Sequence, residues 1–100
     1  MHYLTIAAAY RGSCVRHSYG DPVEPETLSL PAGLCNDLRA WNSEYQVVIP
    51  MATCDLQEPE MANLVRRLDQ EGTHLAERVK ATLREAKVRY YSEGNQRYLT

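Results

Sequence analysis

The strongest fold signal in this chain is the stretch PEMANLVRRLDQEGTHLAERVKATL, residues 59–83. Its apolar residues recur every three or four positions, so in a helix they fall on one side. These residues are Met61, Leu64, Val65, Leu68, Leu75, Val79 and Leu83. Pro59 suits a first helical turn, and Glu60 is favourable beside the positive end of the helix dipole. A stripe that continues for about seven turns must be buried against another layer of structure.

Gly72 and Thr73 interrupt the middle of this stretch. A glycine in a helix interior costs about 1 kcal/mol relative to alanine. The apolar stripe nevertheless stays in phase, because Leu68 and Leu75 are seven residues apart. We therefore expect one continuous helix in which Gly72 lies where another helix approaches closely. Trp41 is the expected neighbour, since its large ring needs the room that a residue without Cβ leaves.

A shorter helix is predicted between Pro31 and Pro50. Its apolar stripe consists of Leu34, Leu38, Trp41, Tyr45 and Val48. Pro31 fits the first turn, Pro50 cannot continue the helix, and the β-branched residues at 47–49 weaken the last turn. We expect residues 51–57 to connect the two helices.

Strands are expected at both ends of the chain. Residues 1–10 favour a strand, and residues 88–91 and 96–99 favour a hairpin whose turn contains glycine. Residues 11–29 are expected to form a loop, because glycines and prolines interrupt any regular period there. The predicted order is β-α-α-β-β. It describes a single α+β domain over residues 1–100, in which a small antiparallel sheet carries two helices on one face.

The composition is that of a soluble globular protein, with 44% hydrophobic and 24% charged residues. The three cysteines, Cys14, Cys35 and Cys54, are an odd number without a close pair, which favours free thiols in a reducing compartment. The N-terminal apolar run is short and no basic residue precedes it, so it does not resemble a secretory signal. The expected location is the cytoplasm.

Charge is sorted along the chain. Residues 1–60 hold eight acidic and three basic side chains, net −5, whereas residues 61–100 hold five acidic and eight basic ones, net +3. Between residues 21 and 60 a single arginine opposes eight carboxylates. Such a field steers association with a basic partner. Glu58 and Glu60 have a simpler role, since acids are favourable at a helix start.

The remaining acids of this stretch are the candidate partner-binding residues. They are Asp21, Glu24, Glu26, Asp37, Glu44 and Asp55. Two interpretations stay open. The acids form either a solvated surface, as charge runs usually do, or a site for a cationic protein in which tryptophan and tyrosine anchors add binding energy.

No catalytic, cofactor or metal motif accompanies these acids. His and Cys residues lack the paired spacing of a zinc site, and no glycine-rich phosphate loop is present. Cys14 and His17 are close in sequence, but a nucleophile needs a base that a third group orients. The basic residues of the long helix alternate with acids, and the isoelectric point is about 5.9, unlike a nucleic-acid-binding domain. The alternative function is a small enzyme or nucleic-acid-binding accessory protein that uses the Cys14–His17 loop.

The helical part of the chain resembles a group of small bacterial proteins. The similarity lies in Leu34-x-x-x-Leu38-Arg-Ala-Trp41-Asn42-x-x-Tyr45, in Glu71-Gly72-x-x-Leu75-Ala76-Glu77-Arg78-Val79 and in a strand that contains Val88. Proteins of this kind resemble immunity partners of secreted toxins, including those of contact-dependent growth inhibition. The resemblance implies a stoichiometric inhibitor that covers the active site of a cognate toxin domain, such as a basic nuclease, with an acidic surface. It implies no catalytic residue and no cofactor.

Overall fold

The computed structural model describes residues 3–9, 12–18, 20–48 and 58–99. Within these ranges the chain forms four strands, one 3-10 helix and two α-helices. In chain order they are β1 (Tyr3–Ile6), β2 (Val15–His17), the 3-10 helix (Pro25–Leu28), α1 (Ala32–Tyr45), α2 (Pro59–Thr82), β3 (Lys87–Ser92) and β4 (Arg97–Tyr98). The α+β class and the two helices predicted from the sequence are confirmed.

The four strands form one sheet in the order β2-β1-β3-β4. β1 and β2 are antiparallel, as are β3 and β4, whereas β1 and β3 run parallel. The sheet is therefore mixed, which corrects the purely antiparallel sheet expected from the sequence. The reason is the connection between β2 and β3, because a crossover that contains two helices is long enough to bring β3 parallel to β1.

Residues 11–29 are not only a loop, contrary to expectation. β2 and the 3-10 helix lie in this segment. Val15 of β2 is fully buried and lies opposite Ile6 of β1. A strand of three residues is too short to show an alternating pattern. The glycine and proline signals lie beside the strand instead of within it, with Gly12 before it at a φ of 87° and Pro22 after it.

Both helices follow their predicted stripes. α2 continues from Pro59 to Thr82 without a break at Gly72, as expected. α1 ends at Tyr45, and residues 46–48 form a turn, in agreement with the weak last turn inferred from the β-branched residues. Pro50 and the connection at 51–57 lie outside the described residues.

The two helices cross where Trp41 meets Gly72. A Cβ atom added to Gly72 would lie 2.7 Å from Cζ2 of Trp41, closer than real Cβ atoms come to any neighbour, and it would overlap the ring of Tyr90 as well. Trp41 is 2% exposed, and its Nε1 donates a hydrogen bond of 2.8 Å to the carbonyl oxygen of Leu68. The predicted contact is confirmed. Gly72 is required there because two aromatic rings fill the space of its missing side chain.

Candidate functional site

A groove runs along the surface between α1 and α2, with a volume of about 240 Å³. Its lining residues are Asp37, Ala40, Trp41, Glu44, Glu71, His74, Leu75 and Arg78. We call this feature the α1–α2 groove. Trp41 and Leu75 are almost completely buried, so they form its floor, and the charged side chains stand on its rims.

Two of the candidate acids, Asp37 and Glu44, lie together on the α1 rim of this groove. They are seven residues apart, which places them on the same side of a helix with 3.6 residues per turn. Glu71 faces them from α2. The sequence did not single out Glu71, because it belongs to the half of the chain whose net charge is positive.

The structure places the other candidate acids elsewhere. Glu24 and Glu26 contact Arg39, which lies about 200° around α1 from Asp37 at 100° per residue. Asp21 is exposed in the turn after β2. Asp55 lies outside the described residues. The five candidate acids that the structure describes therefore do not form a single patch.

Arginines of α2 oppose the acids of α1. Nη1 of Arg78 lies 2.7 Å from Oδ2 of Asp37, and Nη2 of Arg67 lies 3.5 Å from Oε2 of Glu44. Arg67 also approaches Glu71 at 3.9 Å. The five side chains are each between 39% and 59% exposed, so water screens these pairs and they add little to stability. Three carboxylates (Asp37, Glu44 and Glu71) and two arginines (Arg67 and Arg78) thus carry a net charge of −1 at this groove.

The acids on the other side of α1 are paired too. The guanidinium of Arg39 bonds to Glu26 and lies 3.5 Å from Glu24. The hydrogen bond from Arg39 lowers the pKa of Glu26, and the same bond raises the pKa of Arg39. Both carboxylates remain more than half exposed. They are thus accessible to a partner, although Arg39 already neutralises part of their charge.

A larger cleft lies elsewhere, between α2 and the turn from β3 to β4, with a volume of about 560 Å³. Arg66 and Arg97 line it together with Glu77, so it offers no excess of negative charge. Its lining is therefore less acidic than that of the α1–α2 groove.

A buried carboxylate, Asp69, forms part of the wall of this cleft. It is 5% exposed and accepts four hydrogen bonds. The hydroxyl groups of Tyr45 and Tyr90 donate to Oδ1 at 2.9 and 2.6 Å. The Ser92 hydroxyl and the Asn95 amide donate to Oδ2 at 2.6 and 3.0 Å. These donors satisfy both carboxylate oxygens, so the Asp69 cluster fastens α1 and the β3–β4 hairpin to α2.

Sequence reasoning missed the Asp69 cluster, although one signal was available. Asp69 directly follows Leu68 on the buried side of α2 and lies one turn from Val65, so it interrupts an apolar stripe. The cluster also affects its tyrosines. Burial raises the pKa of Tyr45 to about 12, and burial together with the hydrogen bond to Asp69 raises the pKa of Tyr90.

The structure places Cys14 in the bend before β2 and His17 at the end of that strand. Cys14 is 4% exposed, its Sγ donates to the carbonyl oxygen of Leu38 at 3.7 Å, and burial raises the pKa of its thiol to about 11. A thiol in such a place is inert, because the thiolate is the nucleophile. Nothing in this geometry favours the enzyme alternative.

Within ranges 3–9, 12–18, 20–48 and 58–99, no three side chains of His, Cys, Asp or Glu are grouped as metal ligands. In the same part of the chain, neither α-helix has the length and apolar character that crossing a membrane requires.

Comparison with known proteins identifies the family. A search of curated proteins gives no significant match. The profile of the family described as Serratia CdiI immunity protein-like matches residues 4–93, which run from the second residue of β1 to just past β3. The chain belongs to the Serratia CdiI immunity protein-like family.

Proposed function

We propose that the protein is an immunity protein that binds a cognate toxin domain one to one and blocks its activity. Membership of an immunity protein family supports this function. The protein then acts by occupying a surface of the toxin and catalyses nothing itself. A toxin delivered into the cell would meet it in the cytoplasm, where its buried thiols stay reduced.

The α1–α2 groove is the proposed centre of the contact. The observation that carries this proposal is the combination of half-exposed carboxylates with a rigid aromatic floor. Asp37 and Glu44 are 56% and 52% exposed at their side chains, so a partner can reach them. The Trp41 indole beneath is fixed by its hydrogen bond to α2, so the groove keeps its shape without a partner.

The chemistry of the groove suits a basic toxin surface, such as that of a nuclease. A lysine or arginine of the toxin would enter between the rims and bond to Asp37, Glu44 or Glu71. The arginines that now face these acids hold the carboxylates in position, and they are exposed enough to turn aside. Charged contacts of this kind accelerate association, while apolar groups at the groove supply the slower dissociation.

The other candidate acids are proposed as outer contacts. Glu24 and Glu26 lie on the far side of α1 beside Arg39, so one toxin domain reaches them only by wrapping around this helix. Asp21 and Asp55 are proposed to add to the long-range field and not to the centre of the interface.

The experiment is to coexpress the protein with its cognate toxin domain and to titrate the two purified proteins by calorimetry. We expect growth to be protected and the binding ratio to be one to one. Substoichiometric protection, or protection without measurable binding, would point to an enzyme and contradict the proposal.

A further inference from the structure

The side of the sheet that faces away from the helices carries an unusual set of exposed residues. Tyr90 packs inward against Trp41, so its neighbours in β3 point outward. The exposed or half-buried outward residues are Tyr3 of β1, Arg16 of β2, Lys87, Arg89 and Tyr91 of β3, and Tyr98 of β4, whereas Thr5 of β1 also faces outward but is buried. We call them the outer sheet face.

The aromatic and basic side chains of this face contact one another. The guanidinium carbon of Arg89 lies 3.6 Å from the centre of the Tyr98 ring, and Tyr91 meets the same ring edge-on at 5.1 Å. Nζ of Lys87 lies 5.9 Å from the centre of the Tyr3 ring. Tyr3 and Tyr98 are each 45% exposed. Ordered tyrosine and arginine side chains are what binding hot spots contain, because little conformational entropy is lost when they are covered.

The outer sheet face is also cationic. Arg16, Lys87 and Arg89 form no ion pair within 4 Å with a carboxylate of the described residues. Glu93 lies at the rim, where burial raises its pKa and the charge of Arg16 opposes that effect. Three cations and one carboxylate give this face a net charge of +2, although the chain as a whole has −2.

Three kinds of partner could match a basic face, and the structure favours one. A nucleic acid needs open ring faces for its bases, but Arg89 covers the ring of Tyr98. A second copy that docked the same face would bring like charges together. An acidic protein segment meets neither obstacle. Lys87 and Arg89 are two residues apart on one strand, about 7 Å, which is near the spacing of carboxylates on an acidic strand or one turn apart on a helix.

We propose that the outer sheet face binds an acidic segment of a protein partner. The α1–α2 groove lies in the helical layer on the other side of the sheet, so the two surfaces can be occupied together. The inference goes beyond the proposed function, and it stands or fails independently of the toxin.

The test is fluorescence anisotropy of a labelled twelve-residue polyglutamate peptide, titrated with the full chain at low salt. We expect binding, and we expect the double variant Lys87→Gln/Arg89→Gln to lose about tenfold or more in affinity, since two charged contacts disappear. Tyr98→Ala should also weaken binding although it changes no charge. Arg84→Gln, an exposed cation after α2, is the matched control and should change affinity less than about twofold.

The inference is wrong if the peptide does not bind, if Arg84→Gln loses as much affinity as the double variant, or if Tyr98→Ala has no effect. It is also wrong if an oligothymidylate binds more tightly than the peptide and the double variant abolishes that binding. A concentration-dependent dimer in sedimentation that Arg89→Gln dissolves would assign the face to a second copy and contradict it as well. Urea midpoints of all variants show whether the fold is retained.

Discussion

The basic side chains on the helical side of the sheet and those on its outer side have different partners. In the helical layer, Arg67 and Arg78 from α2 lie against Glu44 and Asp37 of α1. On the outer sheet face, Arg89 and Lys87 lie over tyrosine rings and form no ion pair with a carboxylate of the described residues. The fold thus pairs acids from the first part of the sequence with arginines of the helix that follows it. Charge counted along a chain is therefore a poor guide to charge on its surface.

The two surfaces also depend on different buried anchors. The α1–α2 groove depends on the crossing of Trp41 and Gly72, which sets the distance between the helices. The outer sheet face depends on the Asp69 cluster, which holds the hairpin that presents Tyr98. Removing each anchor in turn tests whether this division is correct.

The largest effect is expected for Asp69→Ala. The buried hydroxyl groups of Tyr45, Tyr90 and Ser92 would lose their acceptor, and each unsatisfied group costs about 1–3 kcal/mol, so we expect a loss of at least about 3 kcal/mol in the free energy of unfolding. Urea denaturation measures it. Asp37→Ala, which removes an exposed carboxylate, is the control and should have a small effect. Equal effects would mean that the cluster does not anchor the hairpin.

A smaller effect is expected at the helix crossing. Gly72→Leu should overpack it by about 1–3 kcal/mol, because the new side chain meets the rings of Trp41 and Tyr90. Gly33→Ala in α1 is the matched glycine control. A Cβ there meets nothing within 4 Å, so this change should stabilise the helix by up to about 1 kcal/mol. An unchanged urea midpoint for Gly72→Leu would refute the crossing.

The Asp69 cluster also predicts a loss of stability at alkaline pH. The pKa of Tyr45 is raised from its ordinary value of 10.0 to about 12, and that of Tyr90 is raised in the same direction. A raised pKa in the folded state means that the stabilisation is complete below pH 10 and is lost as pH rises towards 12. Urea unfolding across this range should show the decline, and Tyr45→Phe should flatten it. Constant stability up to pH 12 would contradict the geometry of the cluster.

The smallest effect on function is expected at the edge of the sheet. Replacing Cys14 and His17 together by alanine should leave protection against the toxin intact, because the buried thiol is not reactive. The growth assay with coexpressed toxin measures this. Lost protection in a variant that keeps its fold would restore the enzyme alternative.

The sequence predicted the helices better than the surfaces for physical reasons. Long apolar stripes repeat many times, so α1, α2 and the glycine at their crossing were recognisable. β2 has only three residues, and the parallel pairing of β1 with β3 depends on a long-range crossover that no local pattern encodes. Asp37 pairs with Arg78, which is 41 residues away in the sequence. The net charge of the groove therefore cannot be read from neighbouring residues of the sequence.

The most direct test of the account is the rate at which the cognate toxin associates with the protein at several salt concentrations. We predict a rate that falls steeply as salt rises, since exposed charges are screened within about 8 Å at physiological ionic strength. Glu44→Lys should slow association at low salt by about tenfold, whereas Glu85→Lys, an exposed acid outside the groove, should change it far less. A rate that is independent of salt and equal in both variants would contradict the claim that the α1–α2 groove receives a basic toxin.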